Sequence, residues 1–165
     1  LFSDQIELFI PPKKGRTHIL KIIRELLNFT PKGHGTSITG ALEYLNSVLK
    51  KRCICFLISD FIDQNFETAL RIANRRHDLV ALQIRDRRES VLPNMGLIQM
   101  ADLETGERKW VNTSLRKIRK EFEKQSVERD LKLKDTLARA GVDTALMNTN
   151  ENYVKPLMSL FKKRG

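Results

Sequence analysis

Two apolar runs decide the fold of this chain: Cys53–Ile58 (CICFLI) and Asp78–Ile84 (DLVALQI). Each run has the length of a strand and few polar side chains, which is typical of strands covered on both faces of a parallel sheet. A polar helical segment from Asn65 to about Arg76 separates them. This strand–helix–strand alternation predicts parallel pairing with a right-handed crossover, and therefore an α/β fold.

The segments around these strands are predicted from hydrophobic spacing and turn residues. Leu1–Ile10 is interpreted as a strand hairpin or bent strand with its corner at Ser3-Asp4-Gln5, and Leu97–Ala101 with Arg108–Asn112 as a second hairpin. The remaining predicted elements are a helix over His18–Phe29, a helix that begins at Thr36 or Ser37, a long charged helix over Ser114–Ala140, a strand over Val142–Met147 and a helix over Glu151–Lys163. No repeat or linker interrupts the chain, so we predict a single domain over residues 1–165.

The charge balance of the chain is strongly basic, with 30 Lys and Arg against 20 Asp and Glu, which gives a net charge of +10. An excess of this size favours nucleic acid, an anionic membrane surface or an acidic protein partner. The basic residues are nevertheless spread along the chain and alternate with acids in the Ser114–Ala140 helix. A solvated helix surface therefore explains them as well as a dedicated anion site does.

The two cysteines, Cys53 and Cys55, lie on one face of the first apolar strand. We expect them to be small buried hydrophobic residues, because a disulfide between them would be strained and a zinc site needs more thiols or histidines. No apolar run reaches the length of a membrane span and no signal peptide is visible. The predicted compartment is cytoplasmic.

Polar residues stand where a parallel sheet places its ligand site, outside the carboxyl ends of the strands. Gly35-Thr36-Ser37 opens a helix, and Ser59-Asp60-Phe61 closes an apolar strand. A threonine hydroxyl and a carboxylate suit Mg²⁺, although two ligands are too few to hold it. The alternative is that Thr36 and Asp60 only cap the segments that follow them. The same choice between a site and a cap applies to Asp86, which follows the second strand.

Several phrases of this sequence resemble the bacterial domain-of-unknown-function 58 family, a von Willebrand factor A-like group. The phrases Gly35-Thr36-Ser37-Ile38-Thr39-Gly40-Ala41-Leu42 and Phe56-Leu57-Ile58-Ser59-Asp60-Phe61 are similar to A domains in general. The phrases that narrow the resemblance are Leu1-Phe2-Ser3-Asp4, Pro11-Pro12-Lys13-Lys14-Gly15-Arg16, Arg76-His77-Asp78, Asp86-Arg87-Arg88-Glu89 and Asp102-Leu103-Glu104-Thr105-Gly106. The resemblance implies a von Willebrand A-like (Rossmann-like), mostly parallel sheet flanked by helices. Relative to the family, this chain lacks the first strand, its Asp-x-Ser-x-Ser loop and the first helix.

The resemblance also implies a metal-ion-dependent adhesion site, in which Thr36 supplies the fourth ligand and Asp60 the fifth. We expect Mg²⁺ or a similar divalent ion in the intact parent protein and none in this chain, because the Asp-x-Ser-x-Ser loop is absent from its sequence. The partner would bind the ion through an acidic side chain, and a MoxR-type AAA+ ATPase is the partner that the family suggests. Residues expected to touch the partner are Gly35, Ser37, Ser59, Phe61 and Asp86.

The function predicted from these features is a non-enzymatic, metal-assisted protein-interaction module. A nucleic-acid-binding module is the first alternative, and an enzyme that uses Asp60 and Asp86 with Mg²⁺ for phosphoryl chemistry is the second. His77 lies at the opposite end of its strand from this site, so we expect it to be structural. The A-like strand order 3-2-1-4-5-6 leaves a gap between Leu1–Asp4 and Cys53–Ile58. We expect direct closure of the gap, a displaced amino-terminal half or, most of all, a homo-oligomer through exposed strands.

Overall fold

A computed structural model of the protein describes residues 1–33, 35–101 and 108–165. The helices are α1 (Arg16–Asn28), α2 (Ile38–Val48), α3 (Glu67–Arg76), α4 (Arg116–Arg139) and α5 (Val154–Arg164). The strands are β1 (Ile54–Ser59), β2 (Asp78–Arg85), β3 (Leu97–Ala101), β4 (Arg108–Asn112) and β5 (Asp143–Asn148). Most predicted elements are therefore present, with ends that differ by a few residues.

The central sheet contains β1, β2 and β5 in that order, and all of its strand pairs are parallel. Phe56 pairs with Val80 on β2, and Leu82 of β2 pairs with Ala145 on β5. Helices cover both sides of this sheet, which confirms the predicted α/β class. The order also agrees with the last three strands of the A-like order 3-2-1-4-5-6.

One face of the sheet is sealed by α2, α3 and the end of α4. We call it the covered face, and its buried core includes Ile38, Leu42, Leu57, Leu70, Leu79, Ala81 and Leu137. The opposite face is covered by α5 over β2 and β5, where Val80, Leu82, Ala145, Met147 and Leu160 form a second buried cluster. Strand β2 is thus buried on both sides, as its apolar sequence predicts.

Strand β1 corrects the prediction that both apolar runs are buried on both faces. Leu57 on the covered face is 6% exposed, whereas Ile54, Phe56 and Ile58 on the other face are 63%, 42% and 57% exposed. We call these three side chains the open patch. The physical reason is that β1 is an edge strand among the described residues, while α5 lies over β2 and β5.

The cysteine prediction needs the same correction, because Cys53 and Cys55 are half-buried rather than buried. Both thiols are free, as expected. Cys55 packs at the border of the covered core, beside Leu57 on the same face of β1. The half-burial follows from the edge position of the strand.

The amino-terminal segment corrects the predicted strand over Leu1–Ile10. A turn through Ser3-Asp4-Gln5 is present, but it is closed by one isolated bridge between Phe2 and Ile6. The segment packs on α2, where the ring of Phe9 meets that of Tyr44 edge to face at 5.7 Å. It forms no ladder with β1, so the expected direct closure of the gap does not occur in this structure.

Helix α1 is amphipathic, yet it has no buried residue. Ile19, Ile23 and Leu26 lie at helical spacing and are all exposed. Hydrophobic spacing therefore located this helix correctly but did not show that its apolar side lacks a partner within the described residues.

The hairpin of β3 and β4 is antiparallel, with Leu97 opposite Asn112, which confirms the second predicted hairpin. Its predicted link, Asp102–Gly106, lies outside the described residues. Thr113 closes the open end of the hairpin: its hydroxyl accepts a hydrogen bond from Met95 N (2.8 Å) and donates one to Gly96 O (2.7 Å).

Candidate functional site at the carboxyl edge of the sheet

Two loops meet at the carboxyl edge of the sheet, as the sequence predicts. The amide of Ile38, at the start of α2, donates a hydrogen bond to Asp63 Oδ2 at 2.7 Å. Ser37 caps the same helix, because its hydroxyl accepts a bond from Gly40 N at 3.2 Å. The contact between the loops is therefore made by Asp63, a residue that the sequence analysis did not single out. The signal available in the sequence was a second aspartate, Asp63, three residues after Asp60.

Asp60 shapes the loop that follows β1. Its carboxylate is exposed, and Oδ1 accepts hydrogen bonds from Ile62 N (3.2 Å) and Ser59 Oγ (3.3 Å). The hydroxyl of Ser59 in turn accepts a bond from Phe61 N at 3.0 Å. These bonds hold Phe61 at a φ of 60°, a left-handed conformation that is uncommon for a bulky residue.

The buried ring of Phe61 explains why this strained turn persists. The side chain is part of the covered core, with its ring centroid 6.1 Å from that of Phe66. Phe61 is therefore an anchor for the loop rather than an exposed partner-binding residue. The anchor leaves Asp60 and Ile62 on the outside of the turn.

Thr36 and Gly35 are half-buried beside the start of α2. Within the described residues, no hydrogen bond joins Thr36 to Asp60. The structure thus brings their loops together without placing the two predicted metal ligands in direct contact.

The donor set at this edge does not suit a resident divalent ion. Nowhere in the described part of the chain do three or more His, Cys, Asp or Glu side chains converge on one point. The carboxylate of Asp63 already accepts from Ile38 N and from Gln64 N. A hard cation needs about six oxygen ligands, so Thr36 and Asp60 do not hold one by themselves.

Asp86 joins the carboxyl ends of β2 and β5. Its Oδ1 accepts a hydrogen bond from Arg88 N at 2.8 Å, and its Oδ2 accepts one from Thr149 Oγ1 at 3.3 Å. A main-chain bond from Thr149 N to Arg85 O, 3.0 Å long, ties the same two segments. Asp86 therefore makes the capping contact that was the alternative to a role in the site.

A cleft of about 760 Å³ opens beside Asp60 at this edge. Loop residues Asp60–Glu67 form one wall, and α4 forms the other with Phe122, Ser126, Arg129 and Lys132. An ion pair between Arg85 and Asp130 ties β2 to α4 at the cleft. The α4 wall was not predicted from the sequence, because its residues lie more than 60 positions after Asp60 in the chain and local spacing does not report such contacts.

His77 lies at the amino end of β2, opposite the cleft, and is 1% exposed. Its Nδ1 is 3.4 Å from Cys53 Sγ, and its Nε2 is buried without a hydrogen-bond partner.

Burial raises the pKa of the Cys55 thiol to about 11, with a smaller contribution from Cys53. A thiol with so high a pKa is a poor nucleophile at neutral pH.

A comparison with known protein families agrees with the family resemblance of the sequence phrases. Residues 1–131 match the family described as "Protein of unknown function DUF58", and the chain belongs to that family. This confirms the family predicted from the sequence phrases.

Relatives of this chain differ in length. It is 22% identical over 158 residues to Uncharacterized protein MAV169 of Mycobacterium avium, a match that covers 94% of this chain and 93% of the relative. It is 28% identical over 100 residues to Uncharacterized protein Rv1480 of Mycobacterium tuberculosis, where the match covers 59% of this chain but only 32% of the relative.

Among solved structures, the chain is similar to the conserved hypothetical protein BatB from Bacteroides thetaiotaomicron. The identity is 13%, the TM-score is 0.48, and the match covers 88% of this chain and 67% of BatB.

None of the described helices combines the length and the apolar character that a bilayer crossing requires.

Proposed function

We propose that this chain is a non-enzymatic protein-interaction module that receives its partner at the carboxyl edge of the parallel sheet. The observation that supports this most is the convergence of the loops after β1 and before α2, joined by the bond from Ile38 N to Asp63. The anchored turn holds Asp60 and Ile62 outward beside an open cleft. A rigid scaffold that presents loop side chains in this way is typical of a binding surface.

The arrangement of polar groups argues for binding rather than catalysis. Ser59, Asp63 and Asp86 accept main-chain hydrogen bonds that define the loops. The thiol of Cys55 has a raised pKa, and His77 is buried at the other end of the strands. A nucleophile, a base and an orienting group do not meet among the described residues, which weakens the phosphoryl-transfer alternative.

The partner side chain that suits the α4 wall of the cleft is an acidic one, whereas the loop wall itself carries Asp60, Asp63 and Glu67. Arg129 and Lys132 of α4 line the cleft and are exposed, so they offer cationic groups to a carboxylate. The family resemblance adds a divalent ion held partly by Thr36 and Asp60, and a MoxR-type AAA+ ATPase as the partner. Because Thr36 and Asp60 supply too few oxygen ligands, we expect this chain alone to bind Mg²⁺ weakly or not at all. Its contact with the partner then depends on Arg129 and Lys132 of the α4 wall.

The proposal is tested by the affinity of the purified chain for a MoxR-type ATPase from the same organism, measured by calorimetry with Mg²⁺ and with EDTA. Arg129→Ala should weaken binding about tenfold, since it removes a charge-assisted contact. Lys155→Ala on α5 is the matched control, because it removes the same charge from an exposed residue away from the cleft. Equal affinities for wild type and Arg129→Ala would contradict the proposed role of the exposed cations of the α4 wall.

The metal-assisted form of the contact has its own readout in the same experiment. If a divalent ion contributes, EDTA should weaken binding and Asp60→Ala should remove that sensitivity. Glu123→Ala, an exposed acid on α4, controls for the change in net charge. Absence of any ATPase binding, with a folded chain, would refute the proposed partner.

Nucleic-acid binding stays the alternative, and the structure offers it limited support. Arg119 of α4 donates to Thr113 O and Ser114 O, and Lys124 pairs with Glu128 at 3.8 Å. Cations that are used inside the molecule or paired with acids make a weaker phosphate surface. A steep loss of DNA or RNA affinity with rising salt would favour this alternative, and no binding at low salt would remove it.

A further inference from the structure

The cleft beside Asp60 is long and is built by a single stretch of chain. Every residue that lines it lies between Asp60 and Thr136. Its α4 wall extends from Phe122 to Thr136, and at 1.5 Å of rise per residue this wall is about 21 Å long. An extended chain rises about 3.3 Å per residue, so about six residues of a peptide span the same distance. The cleft therefore has room for a segment of another chain.

Ser126 differs from the other polar side chains of the α4 wall. Phe122, Ser126 and Arg129 recur at intervals of four and three residues, so they lie on one face of the helix, toward the cleft. Ser126 is 6% exposed, and within the described residues its hydroxyl has no hydrogen-bond partner. The hydroxyl of Thr136, at the end of the same wall, instead donates to Lys132 O at 2.9 Å. A hydroxyl such as that of Ser126 gains a hydrogen bond when a ligand supplies one.

The two walls of the cleft carry opposite charges. Arg129 and Lys132 of the α4 wall are exposed. The loop wall carries the exposed Asp60 and the half-buried Glu67. Among the described residues, no ion pair crosses from one wall to the other. This arrangement favours an occupant that brings the opposite charge to each wall.

We infer that the cleft holds an extended segment of the partner protein in which acidic and basic side chains alternate. Successive side chains of an extended chain point to opposite sides. The acids of such a segment face the cations of the α4 wall, and its bases face the acids of the loop wall. The inference rests on the proposed function, because it names the part of the partner that the carboxyl edge of the sheet receives.

An extended segment suits the cleft better than a helix does. The main-chain N–H and C=O groups of an extended chain are free to bond with Ser126, whereas a helix pairs most of its main-chain groups internally. The side chains of a helix also repeat every 3.6 residues, so simple alternation does not place opposite charges on its two sides. The two occupants therefore require different sequence patterns, which peptides of known sequence distinguish.

The experiment is an NMR titration of the isotope-labelled chain at low salt with two hexapeptides whose ends are blocked. In the first peptide aspartate and lysine alternate, and in the second all aspartates precede all lysines, so composition and net charge are equal. The alternating peptide should shift the amide signals of Asp60, Ser126 and Arg129. It should also bind at least about threefold more tightly, since each exposed ion pair contributes modestly. Equal affinities for the two peptides would contradict the inference.

Charge reversal tests the pairing of the two walls. Arg129→Glu and Glu67→Arg should each weaken binding of the alternating peptide about threefold, because each variant removes the opposition of charge between the walls. The double variant restores opposite charges with their signs exchanged, and the peptide regains its contacts when it shifts by one residue. Its affinity should return to within about twofold of the wild type. A double variant weaker than both single variants would refute the alternation.

Ser126→Ala separates binding from folding. Removal of a hydroxyl that has no partner should leave the urea midpoint unchanged or higher, yet it should weaken the alternating peptide about threefold, the effect of one hydrogen bond. Ser47→Ala is the matched control, because the Ser47 hydroxyl is exposed on α2 and already donates to Tyr44 O. The inference predicts an unchanged affinity for this control, and it is wrong if Ser126→Ala also binds the peptide like the wild type.

Calorimetry with the MoxR-type ATPase separates this inference from the proposed function. If the ATPase binds a folded Glu67→Arg variant as tightly as the wild type, the alternating segment is refuted and the proposed partner stands. If the chain binds the alternating peptide but not the ATPase, the partner is refuted and the peptide site stands. No shift of the amide signals up to about 5 mM peptide, or a bound peptide that is helical by its chemical shifts, would contradict the inference.

Discussion

Strands β1 and β2 lie side by side in one parallel sheet, and their sequences are almost equally apolar, yet their surroundings differ. Leu79, Val80 and Ala81 of β2 are buried whichever face they point to. On β1, only the side chains toward the covered face are protected, and Phe56 and Ile58 remain exposed. The apolar sequence of a strand therefore indicates how much burial the strand needs. The position of the strand in the sheet determines how much of that burial a single chain provides.

The largest difference between these strands should appear in stability. Leu79→Ala removes a side chain that is 1% exposed in the covered core, so it should lower the free energy of unfolding by about 3 kcal/mol. Ile54→Ala, on the open patch, should cost less than about 1 kcal/mol. Urea denaturation at a concentration where the chain is monomeric measures both. Similar losses for the two variants would show that the open patch is covered in solution.

A smaller loss should follow from removing the side chain that locks β2 to its neighbours. Asn74 Nδ2 donates to Ala140 O (3.2 Å) and Gly141 O (2.8 Å), and Asn74 Oδ1 accepts from Leu79 N (3.2 Å). Asn74→Ala leaves these groups unpaired and should cost about 2 kcal/mol. The exposed Asn94→Ala variant is the control, and equal midpoints for the two would refute the role of Asn74.

Thiol chemistry should distinguish the two faces of β1. Because burial raises the pKa of Cys55 from an ordinary value of 9.0 to about 11, its thiolate at pH 8 is about a hundredfold scarcer than in the unfolded chain. Alkylation followed by mass mapping should therefore find Cys55 slow. In a variant with Cys53→Ser and Cys55→Ser, an Ile54→Cys thiol on the open patch should react faster. Faster alkylation of native Cys55 would contradict this contrast.

The same shift in pKa makes a small prediction about the pH dependence of stability. The folded chain holds the Cys55 proton more tightly than the unfolded chain, so this contribution is fully present below pH 9 and is lost as the pH rises toward about 11. Denaturation midpoints of wild type and Cys55→Ser should converge across that interval. Midpoints that diverge as the pH rises would contradict the predicted direction of the shift in the pKa of Cys55.

Sequence reasoning predicted the parts of the fold that depend on local pattern. The helices, the parallel pairing of β1 with β2 and the hairpin of β3 with β4 follow from spacing and turn residues that lie within one segment. The predicted strand hairpin or bent strand over Leu1–Ile10 was wrong, because a strand needs a neighbouring strand and this segment has only a single bridge. Pattern alone does not show whether that neighbour exists.

The candidate site was predicted less completely than the fold. The meeting of the loops near Thr36 and Asp60 follows from strand polarity, whereas the bond from Ile38 N to Asp63 depends on the turn at Phe61. The α4 wall of the cleft depends on how a distant helix packs. Contacts of this kind are set by tertiary structure, which explains why Arg129 was absent from the residues predicted.

The central claim is that the carboxyl edge of the parallel sheet, between the loop after β1 and helix α4, receives a partner protein. Hydrogen–deuterium exchange of the chain, measured by mass spectrometry with and without the MoxR-type ATPase, tests this claim most directly. Peptides that cover the loop Asp60–Glu67 and the α4 wall of the cleft should exchange more slowly when the ATPase is present, and peptides of the β3–β4 hairpin should not change. Unchanged exchange in the loop and in α4, with slower exchange elsewhere, would contradict the claim.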